Sequence, residues 1–220
     1  MGSTIKLTAS DGKTLGAYVA EPKGKPKGGL VVIQEIFGVN RHIRNVTDGF
    51  AAAGYYAVAP ALFDRIRPGV ELGYTPDDLA HGRELRSKLG WDEVMADTKA
   101  AVDAAKKAGK VGVVGYCFGG TVAWLAATRL GLPAVGYYGG GIAGFANEQP
   151  KAPVMLHFGE KDAHIPMADV EKVRAAHPKV PIHVYQAGHG FSCDERPDFN
   201  KASHEAALKR TLAFFAEYVG

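Results

Sequence analysis

The chain has 220 residues, of which 46% are hydrophobic and 22% charged, and its formal net charge is +3 at pH 7. This composition is typical of a soluble globular protein, and so mild a charge gives no reason to expect a nucleic acid or a membrane surface as partner. No apolar run approaches the roughly 20 residues that span a bilayer, and the N-terminal segment lacks a signal-peptide core. We therefore expect a cytoplasmic monomer with one domain, residues 1–220, that binds a small molecule.

The first half of the chain predicts a strand pair followed by alternating strands and helices. Polar and apolar residues alternate around Asp11-Gly12, a hairpin signal, so the two opening strands are expected to be antiparallel. Asn40 is a typical N-cap for the helix that follows the third strand. The segment from Pro60 to Gly73 carries no clear signal. The predicted strands are residues 5–9, 15–20, 30–33 and 55–59, and the predicted helices are residues 40–53, 77–89 and 91–108.

The second half continues this alternation. The predicted strands are residues 111–114, 134–138, 154–158 and 182–185, and the predicted helices are residues 121–130, 167–177 and 202–219. Alternating strands and helices predict an α/β fold in which helices cover both faces of a mostly parallel sheet. Ligands of such sheets bind beyond the carboxyl ends of the strands. Four unusual stretches follow predicted strands at these ends: residues 35–38, 115–120, 159–164 and 188–191.

The stretch Gly115-Tyr116-Cys117-Phe118-Gly119-Gly120 lies between a predicted strand and a predicted helix, with the cysteine at the turn. It resembles the nucleophile elbow G-x-S-x-G of α/β-hydrolases, with sulfur in place of oxygen. Flanking glycines remove the Cβ clashes of so tight a turn, and the N-terminus of the following helix favours a thiolate. An inert buried cysteine is the alternative interpretation. A dinucleotide-binding loop is excluded, because the glycines do not fit G-x-G-x-x-G.

A thiol nucleophile needs a base and a group that orients the base, and candidates for both follow the cysteine in the chain. Asp162 lies in the loop after a strand, and His189 lies between two glycines after the last strand. The order nucleophile, acid, histidine is that of α/β-hydrolases. The alternatives are that Asp162 only caps the next helix, with Glu160 and His164 as its nearby competitors, and that His189 is structural.

Two backbone N–H groups are expected to bind the developing oxyanion. They belong to Phe118, directly after the nucleophile, and to Ile36, in the loop after an earlier strand. Glu35 precedes Ile36, and a charged carboxylate beside an oxyanion hole would repel the intermediate. Glu35 is therefore either a salt-bridged structural residue or a partner to the thiol. No cluster of His, Cys, Asp and Glu has metal-ligand spacing, so we expect neither a metal nor a cofactor.

Together these motifs resemble the dienelactone hydrolase (carboxymethylenebutenolidase) family, from about residue 30 to the C-terminus. The motifs that carry the resemblance are Gln34 to Gly38, Gly115 to Gly120, Val135 to Gly139, Gly159 to Asp162 and Gly188 to Phe191. The resemblance implies an α/β-hydrolase domain in which a triad of Cys117, His189 and Asp162 opens a lactone or ester through a thioester acyl-enzyme.

The resemblance also implies roles for residues around the triad. Glu35 would pair with the resting thiol and move away when substrate binds, so that the thiol is activated only when it is needed. The backbone of Ile36 and Phe118 would form the oxyanion hole. Phe37 and Tyr137 would line the substrate pocket.

This chain departs from the family pattern at the residues expected to bind the substrate. The resemblance implies that arginines hold the carboxylate of dienelactone, one of them four residues after the histidine, but this chain has Cys193 there. Arg196 is a candidate replacement, and Arg83 and Arg86 are the candidates for an arginine in the helical region before the elbow. The aromatic residues expected on that helix are absent, Trp91 apart. The fold and the chemistry are expected to transfer better than the substrate.

Three other functions stay open. The lost arginine suggests a general carboxylesterase or thioesterase for neutral acyl groups. Cys117 and Cys193 suggest a redox-responsive module in which a disulfide between them switches the protein off. Two free thiols after air oxidation would remove that idea. A non-catalytic binding protein with the same fold is the third alternative.

Overall fold

The computed structural model describes residues 2–220 and confirms the predicted fold class, since eight strands form a mostly parallel sheet with six α-helices. The strands are β1 (Ser3–Thr8), β2 (Thr14–Ala20), β3 (Gly29–Ile33), β4 (Tyr56–Pro60), β5 (Val111–Tyr116), β6 (Ala134–Tyr137), β7 (Val154–Gly159) and β8 (Ile182–Tyr185). The helices are α1 (Arg41–Ala52), α2 (Pro76–Ser87), α3 (Trp91–Ala105), α4 (Phe118–Leu125), α5 (Met167–Ala176) and α6 (Lys201–Tyr218). No helix within residues 2–220 is long and apolar enough to cross a membrane.

The described chain divides into two compact units, one of residues 2–112 with 219–220 and one of residues 113–218. In the first unit the strands are ordered β1-β2-β4-β3. The pairs β1/β2 and β2/β4 are antiparallel, which confirms the predicted opening pair, whereas β3 and β4 are parallel. Every residue of β3 and β4 is buried, which explains why both sequences are continuous apolar runs. Asn40 caps α1 as predicted, because its side chain accepts a hydrogen bond from the amide of Ile43 at 3.2 Å.

The segment after β4, where the sequence carries no clear signal, contains a short 3-10 turn at Leu62–Arg65. Arg65 in this turn donates to both carboxylate oxygens of Asp97, at 2.7 and 2.8 Å. Asp97 lies on α3 and is fully buried. The segment is therefore fixed by a partner more than thirty residues away along the chain, which a local pattern does not reveal.

In the second unit the strand order β5-β6-β7-β8 follows the chain, and all neighbouring strands are parallel. Their carboxyl ends therefore lie at the same edge, where Gly159 at the end of β7 pairs with Tyr185 at the end of β8. The loops that carry Cys117, Asp162 and His189 all begin at this edge. The topology thus brings together residues that are far apart in the sequence.

The predicted loop at residues 139–149 contains a 3-10 turn and is fastened to the body of the second unit. Nε1 of Trp124 donates to the carbonyl oxygen of Phe145 at 3.3 Å. Nε2 of His177 donates to the carbonyl oxygen of Ala146 at 2.7 Å. Two buried rings from α4 and the end of α5 therefore hold consecutive carbonyl groups of this loop.

Candidate active site

Cys117 lies between β5 and α4, with backbone angles φ 55° and ψ −115°. A positive φ is strained in a residue that carries a Cβ, so the surrounding contacts must hold the turn. The amide of Cys117 donates to the carbonyl of Tyr137 at 3.0 Å, and the carbonyl of Cys117 accepts from the amide of Gly120 at 2.9 Å. The helix starts at Phe118, three residues before the predicted start, and so follows the cysteine directly.

Two glycines of the turn are required by close backbone approach. A Cβ on Gly115 would lie 1.8 Å from the carbonyl oxygen of Gly119. A Cβ on Gly120 would lie 2.5 Å from the carbonyl oxygen of Tyr137, which also accepts the hydrogen bond from the amide of Cys117. Because both obstacles are main-chain atoms, a side chain at Gly115 would push α4 away from β5, and one at Gly120 would push α4 away from the end of β6.

His189 joins Cys117 to Asp162 by two hydrogen bonds. Nε2 of His189 lies 3.1 Å from Sγ of Cys117, and Nδ1 lies 2.7 Å from Oδ2 of Asp162. The side chains of His189 and Asp162 are 9% and 0% exposed, so little water reaches the bond between them. Cys117 is partly exposed and open to a reactant. The structure therefore brings together the three residues predicted as nucleophile, base and orienting acid.

The partners of His189 decide its protonation. Burial is the largest single influence and lowers the pKa of the imidazole. The charge on Cys117 and the hydrogen bonds to Asp162 and Cys117 outweigh burial and raise the pKa of His189 to about 10. The imidazole of His189 is therefore protonated at neutral pH, and its Nε2 faces the sulfur of Cys117.

The remaining oxygen of Asp162 is bonded within its own loop. Oδ1 accepts hydrogen bonds from the amides of His164 at 2.8 Å and Ile165 at 3.1 Å. Helix α5 has Pro166 as its N-cap and no side-chain cap, so the alternative in which Asp162 only caps that helix is wrong. Glu160, the competing carboxylate, is exposed. The loop therefore presents the buried carboxylate of Asp162 to the histidine.

The glycines on either side of His189 make room for the chain that folds back over this loop. Gly190 has φ +78°, and a Cβ on it would lie 2.7 Å from Nη1 of Arg196. A Cβ on Gly188 would lie 2.8 Å from Oδ1 of Asp198. The guanidinium group of Arg196, a predicted substrate-binding residue, thus packs against the residue next to His189.

Two other predicted binding residues of the second unit are buried. Cys193 is 0% exposed and Tyr137 is 1% exposed. The hydroxyl of Tyr137 is hydrogen-bonded to Thr211 at 2.6 Å, its ring stacks on Tyr116 at 4.7 Å, and burial raises the pKa of its phenol. These contacts make Tyr137 part of the packing behind the elbow, and its predicted role in lining a pocket stays a prediction. Cys117 and Cys193 are both free thiols.

The predicted residues Glu35, Ile36 and Phe37 follow β3 in the first unit. Glu35 is fully buried and accepts a hydrogen bond from the hydroxyl of Tyr74 at 3.2 Å. Phe37 packs edge-on against the ring of the same tyrosine, with 4.7 Å between the centroids, and Ile36 is partly exposed. Tyr74 therefore supports two residues of this stretch, although no sequence pattern marks it. The predicted roles of Glu35, Ile36 and Phe37 stay predictions.

The candidate arginines of the first unit differ in their surroundings. Arg86 lies over the ring of Trp91 at 4.2 Å and donates to the carbonyl oxygen of Leu89 at 2.8 Å. Burial lowers the pKa of Arg86. Arg83 is exposed on α2. Trp91, the one aromatic residue kept in this region, is thus a support for Arg86, and the substrate contacts predicted for both arginines stay predictions.

Two rings beside His189 are not assigned to the site by the sequence analysis. The ring of Tyr138 lies 5.2 Å from the imidazole of His189, tilted by 60°. The ring of His164 lies 5.1 Å from it, edge-on at 84°. Tyr138 has φ 37°, so β6 ends one residue earlier than predicted, at Tyr137. The resemblance motif contains Tyr138, whereas the only signal for His164 is its closeness to Asp162.

Comparison with known proteins gives consistent matches over almost the whole chain. The dienelactone hydrolase family matches residues 15–219. The chain is 35% identical to a carboxymethylenebutenolidase from Pseudomonas putida, over 96% of this chain and 95% of that protein. It is 30% identical to carboxymethylenebutenolidase 1 from Cupriavidus pinatubonensis, again over 96% of this chain and 95% of that protein. The crystal structure of a provisionally named dienelactone hydrolase from Klebsiella pneumoniae is similar, with a TM-score of 0.87, 32% identity and coverage of 99% of this chain and 100% of that one.

Proposed function

Because the chain belongs to the dienelactone hydrolase family and is a hydrolase of ester or lactone bonds, we propose that it opens small lactones or esters with Cys117 as the nucleophile. His189 takes the proton of the thiol, and Asp162 orients His189 and stabilises its charged form. The names of the relatives make a dienelactone the first substrate to test.

The observation that carries this proposal is the continuous path of hydrogen bonds from sulfur to carboxylate. It runs over 3.1 Å from Cys117 to His189 and over 2.7 Å from His189 to Asp162. Such a path lets the proton of the thiol move to the imidazole while the carboxylate balances the new positive charge. A histidine with a purely structural role does not need a nucleophile on one nitrogen and a buried carboxylate on the other.

The proposed reaction has two halves. The thiolate of Cys117 attacks the carbonyl carbon, so that a C–S bond forms and the carbonyl oxygen becomes an oxyanion. The tetrahedral intermediate collapses, the C–O bond of the ester or lactone breaks, and the imidazolium of His189 gives its proton to the leaving oxygen. Water then attacks the thioester, His189 accepts a proton from it, and the C–S bond breaks. This releases the carboxylic acid and restores the thiolate.

The oxyanion is proposed to bind two backbone N–H groups. Phe118 is the first residue of α4, and N–H groups in the first turn of a helix point along the axis towards its positive end. This position at the start of α4, directly after Cys117, supports the amide of Phe118 as one donor to the oxyanion. The amide of Ile36 is proposed as the second donor on the basis of the family resemblance.

A general esterase for neutral acyl groups is the second candidate, and the surroundings of two side chains favour it. The position of the family arginine holds Cys193, which is fully buried and cannot supply the positive charge of an arginine. Arg86 is engaged by Trp91 and by a main-chain carbonyl. Values of kcat/KM for a dienelactone and for a neutral aryl acetate, measured on one preparation, separate the two. Preference for the charged lactone by orders of magnitude would remove the second candidate.

Replacement of the nucleophile tests the proposal directly. We expect Cys117→Ala to abolish turnover of lactones and esters, because Cys117 is the partly exposed thiol bonded to His189, whereas Cys193 is buried. Rapid-quench mass spectrometry of the wild type with a slow ester should show the mass of one acyl group on the peptide that contains Cys117. The same experiment on Cys117→Ala, checked for folding by circular dichroism, is the control. Appreciable activity of the folded variant, or an acyl group on another peptide, would mean that the nucleophile is misassigned.

A further inference from the structure

His164 contacts two of the three proposed catalytic residues through different parts of the same amino acid. Its backbone amide donates to Oδ1 of Asp162 at 2.8 Å. Its imidazole ring lies edge-on to the ring of His189, with 5.1 Å between centroids and 84° between planes. The backbone contact would survive a change of side chain, whereas the ring contact would not. The two contributions of His164 can therefore be separated by substitution.

The orientation of His189 needs support beyond its two hydrogen bonds. The torsion that rotates an imidazole about its bond to Cβ is broad, so it is not fixed by the preferred rotamers of the side chain. The bond from Nδ1 to Asp162 fixes one point of the ring, but the ring can still tilt about that bond. A tilt changes the 3.1 Å distance between Nε2 and Sγ of Cys117, across which the proton moves. Rings packed against the imidazole oppose this tilt.

Two segments supply such rings. Tyr138 follows β6 and is fully buried, so its ring, 5.2 Å from that of His189, is fixed by the core. His164 lies in the loop after β7 and is exposed. An exposed side chain gains little from burial, so burial by itself does not account for a ring at this position. The contact with His189 does give a reason.

We propose that His164 is a positioning residue, whose ring holds the imidazole of His189 in the orientation that directs Nε2 at the sulfur of Cys117. The inference rests on the proposed function, because it assumes that proton transfer between His189 and Cys117 belongs to the reaction. The observed contact is one between rings, so the role is assigned to the planar shape of the His164 side chain.

The test compares three substitutions with the wild type. His164→Ala removes the ring, His164→Gln keeps polar atoms without a ring, and His164→Phe keeps a planar ring without polar atoms. We expect kcat to fall about tenfold in the Ala and Gln variants with little change in KM, because a small misplacement of a reacting group slows the chemical step more than it weakens binding. We expect the Phe variant to recover most of the loss. The rate of iodoacetamide alkylation at Cys117 should follow the same order.

Each result decides the matter. Variants that all match the wild type would overturn the inference, and so would activity that returns with Gln and not with Phe, because that pattern would assign the effect to hydrogen bonding. A change in KM alone would place His164 in substrate binding instead. Cys117→Ala measured in parallel separates the two levels of the proposal. If it stays active, the proposed function fails, whereas if it is inactive and the His164 variants are normal, only this inference fails.

Discussion

Two buried histidines of the second unit each have two hydrogen-bond partners, but the chemical nature of the partners differs. His189 is bonded at Nδ1 to Asp162 and at Nε2 to Cys117. His157 is bonded at Nδ1 to the hydroxyl of Tyr185 at 2.9 Å and at Nε2 to the hydroxyl of Thr211 at 3.2 Å. Both therefore have a partner on each ring nitrogen. The pKa of His189 is raised to about 10, whereas the pKa of His157 is lowered well below its ordinary value.

The difference shows that the partner, and not burial, makes a histidine able to hold a proton. Burial is the largest influence on both rings and lowers the pKa of each. Around His189 the charge on Cys117 and the hydrogen bond to Asp162 offset the effect of burial. Around His157 the bonded partners are neutral hydroxyls, and the positive charges of His183 and, to a smaller extent, Arg210 lower the pKa further. His157 is therefore neutral among neutral partners, whereas the partners of His189 favour its protonated form.

The same substitution at both histidines gives the largest contrast. We expect His189→Gln to lower kcat/KM about a thousandfold, because the base is lost, with a small effect on stability. We expect His157→Gln to leave kcat/KM within about twofold of the wild type and to lower the free energy of unfolding by about 1–3 kcal/mol, because buried hydroxyls lose a partner. Steady-state kinetics and urea unfolding of the two variants test this. Loss of activity in a folded His157→Gln protein would contradict the contrast.

Removal of the negative charge of Asp162 should lower the pKa of His189 towards that of His157. In Asp162→Asn the hydrogen bond and the charge that raise the pKa of His189 are reduced, so this pKa must fall from about 10. Because the protonated imidazole is lost as pH rises through its pKa, the alkaline limb of the kcat/KM profile should move to lower pH, and the maximum should fall about a hundredfold. An alkaline limb that stays in place would show that Asp162 does not act on His189 electrostatically.

The smallest expected effect on Cys117 is that of a substitution at Glu35. This prediction compares two carboxylates, Asp162 and Glu35, as the previous ones compare two histidines. Asp162 is bonded to an ionisable base, whereas Glu35 accepts a hydrogen bond from the phenol of Tyr74. If Glu35 is also the resting partner of the thiol, as the family resemblance implies, Glu35→Gln will change the rate of Cys117 alkylation by about threefold without substrate, the effect of half a pKa unit. Tyr74→Phe, which keeps the carboxylate, is the matched control. Alkylation at the wild-type rate in Glu35→Gln would leave Glu35 a structural role only.

Much of the fold could be predicted because its signals are local. Continuous apolar runs mark the strands that are buried on both faces, such as β3 and β4. Asn40 marks the start of α1, since an N-cap acts on the amides of its own first turn. The segment after β4 could not be predicted in the same way. Its structure depends on the pairing of Arg65 with Asp97, which comes from a distant helix.

The candidate site shows the same division. The chain order of Cys117, Asp162 and His189, together with the glycines two positions from Cys117 and next to His189, predicts three side chains that the structure brings into hydrogen-bond contact. Glycines are informative in a sequence because they indicate places where the backbone passes close to other atoms. The sequence pattern does not show which atoms these are, and the structure identifies Asp198 and Arg196 as the neighbours of the glycines around His189.

Residue types and their order in the chain thus specified an α/β-hydrolase fold and the three residues proposed for its catalysis. The tertiary structure alone decided which histidine is charged, which carboxylate oxygen is bonded by which amide, and that the rings of Tyr138 and His164 pack against His189. The physical reason is the separation along the chain of the residues that interact. Strand periodicity, caps and tight turns arise between residues a few positions apart, whereas pKa values and ring packing depend on groups that only the folded sheet brings together.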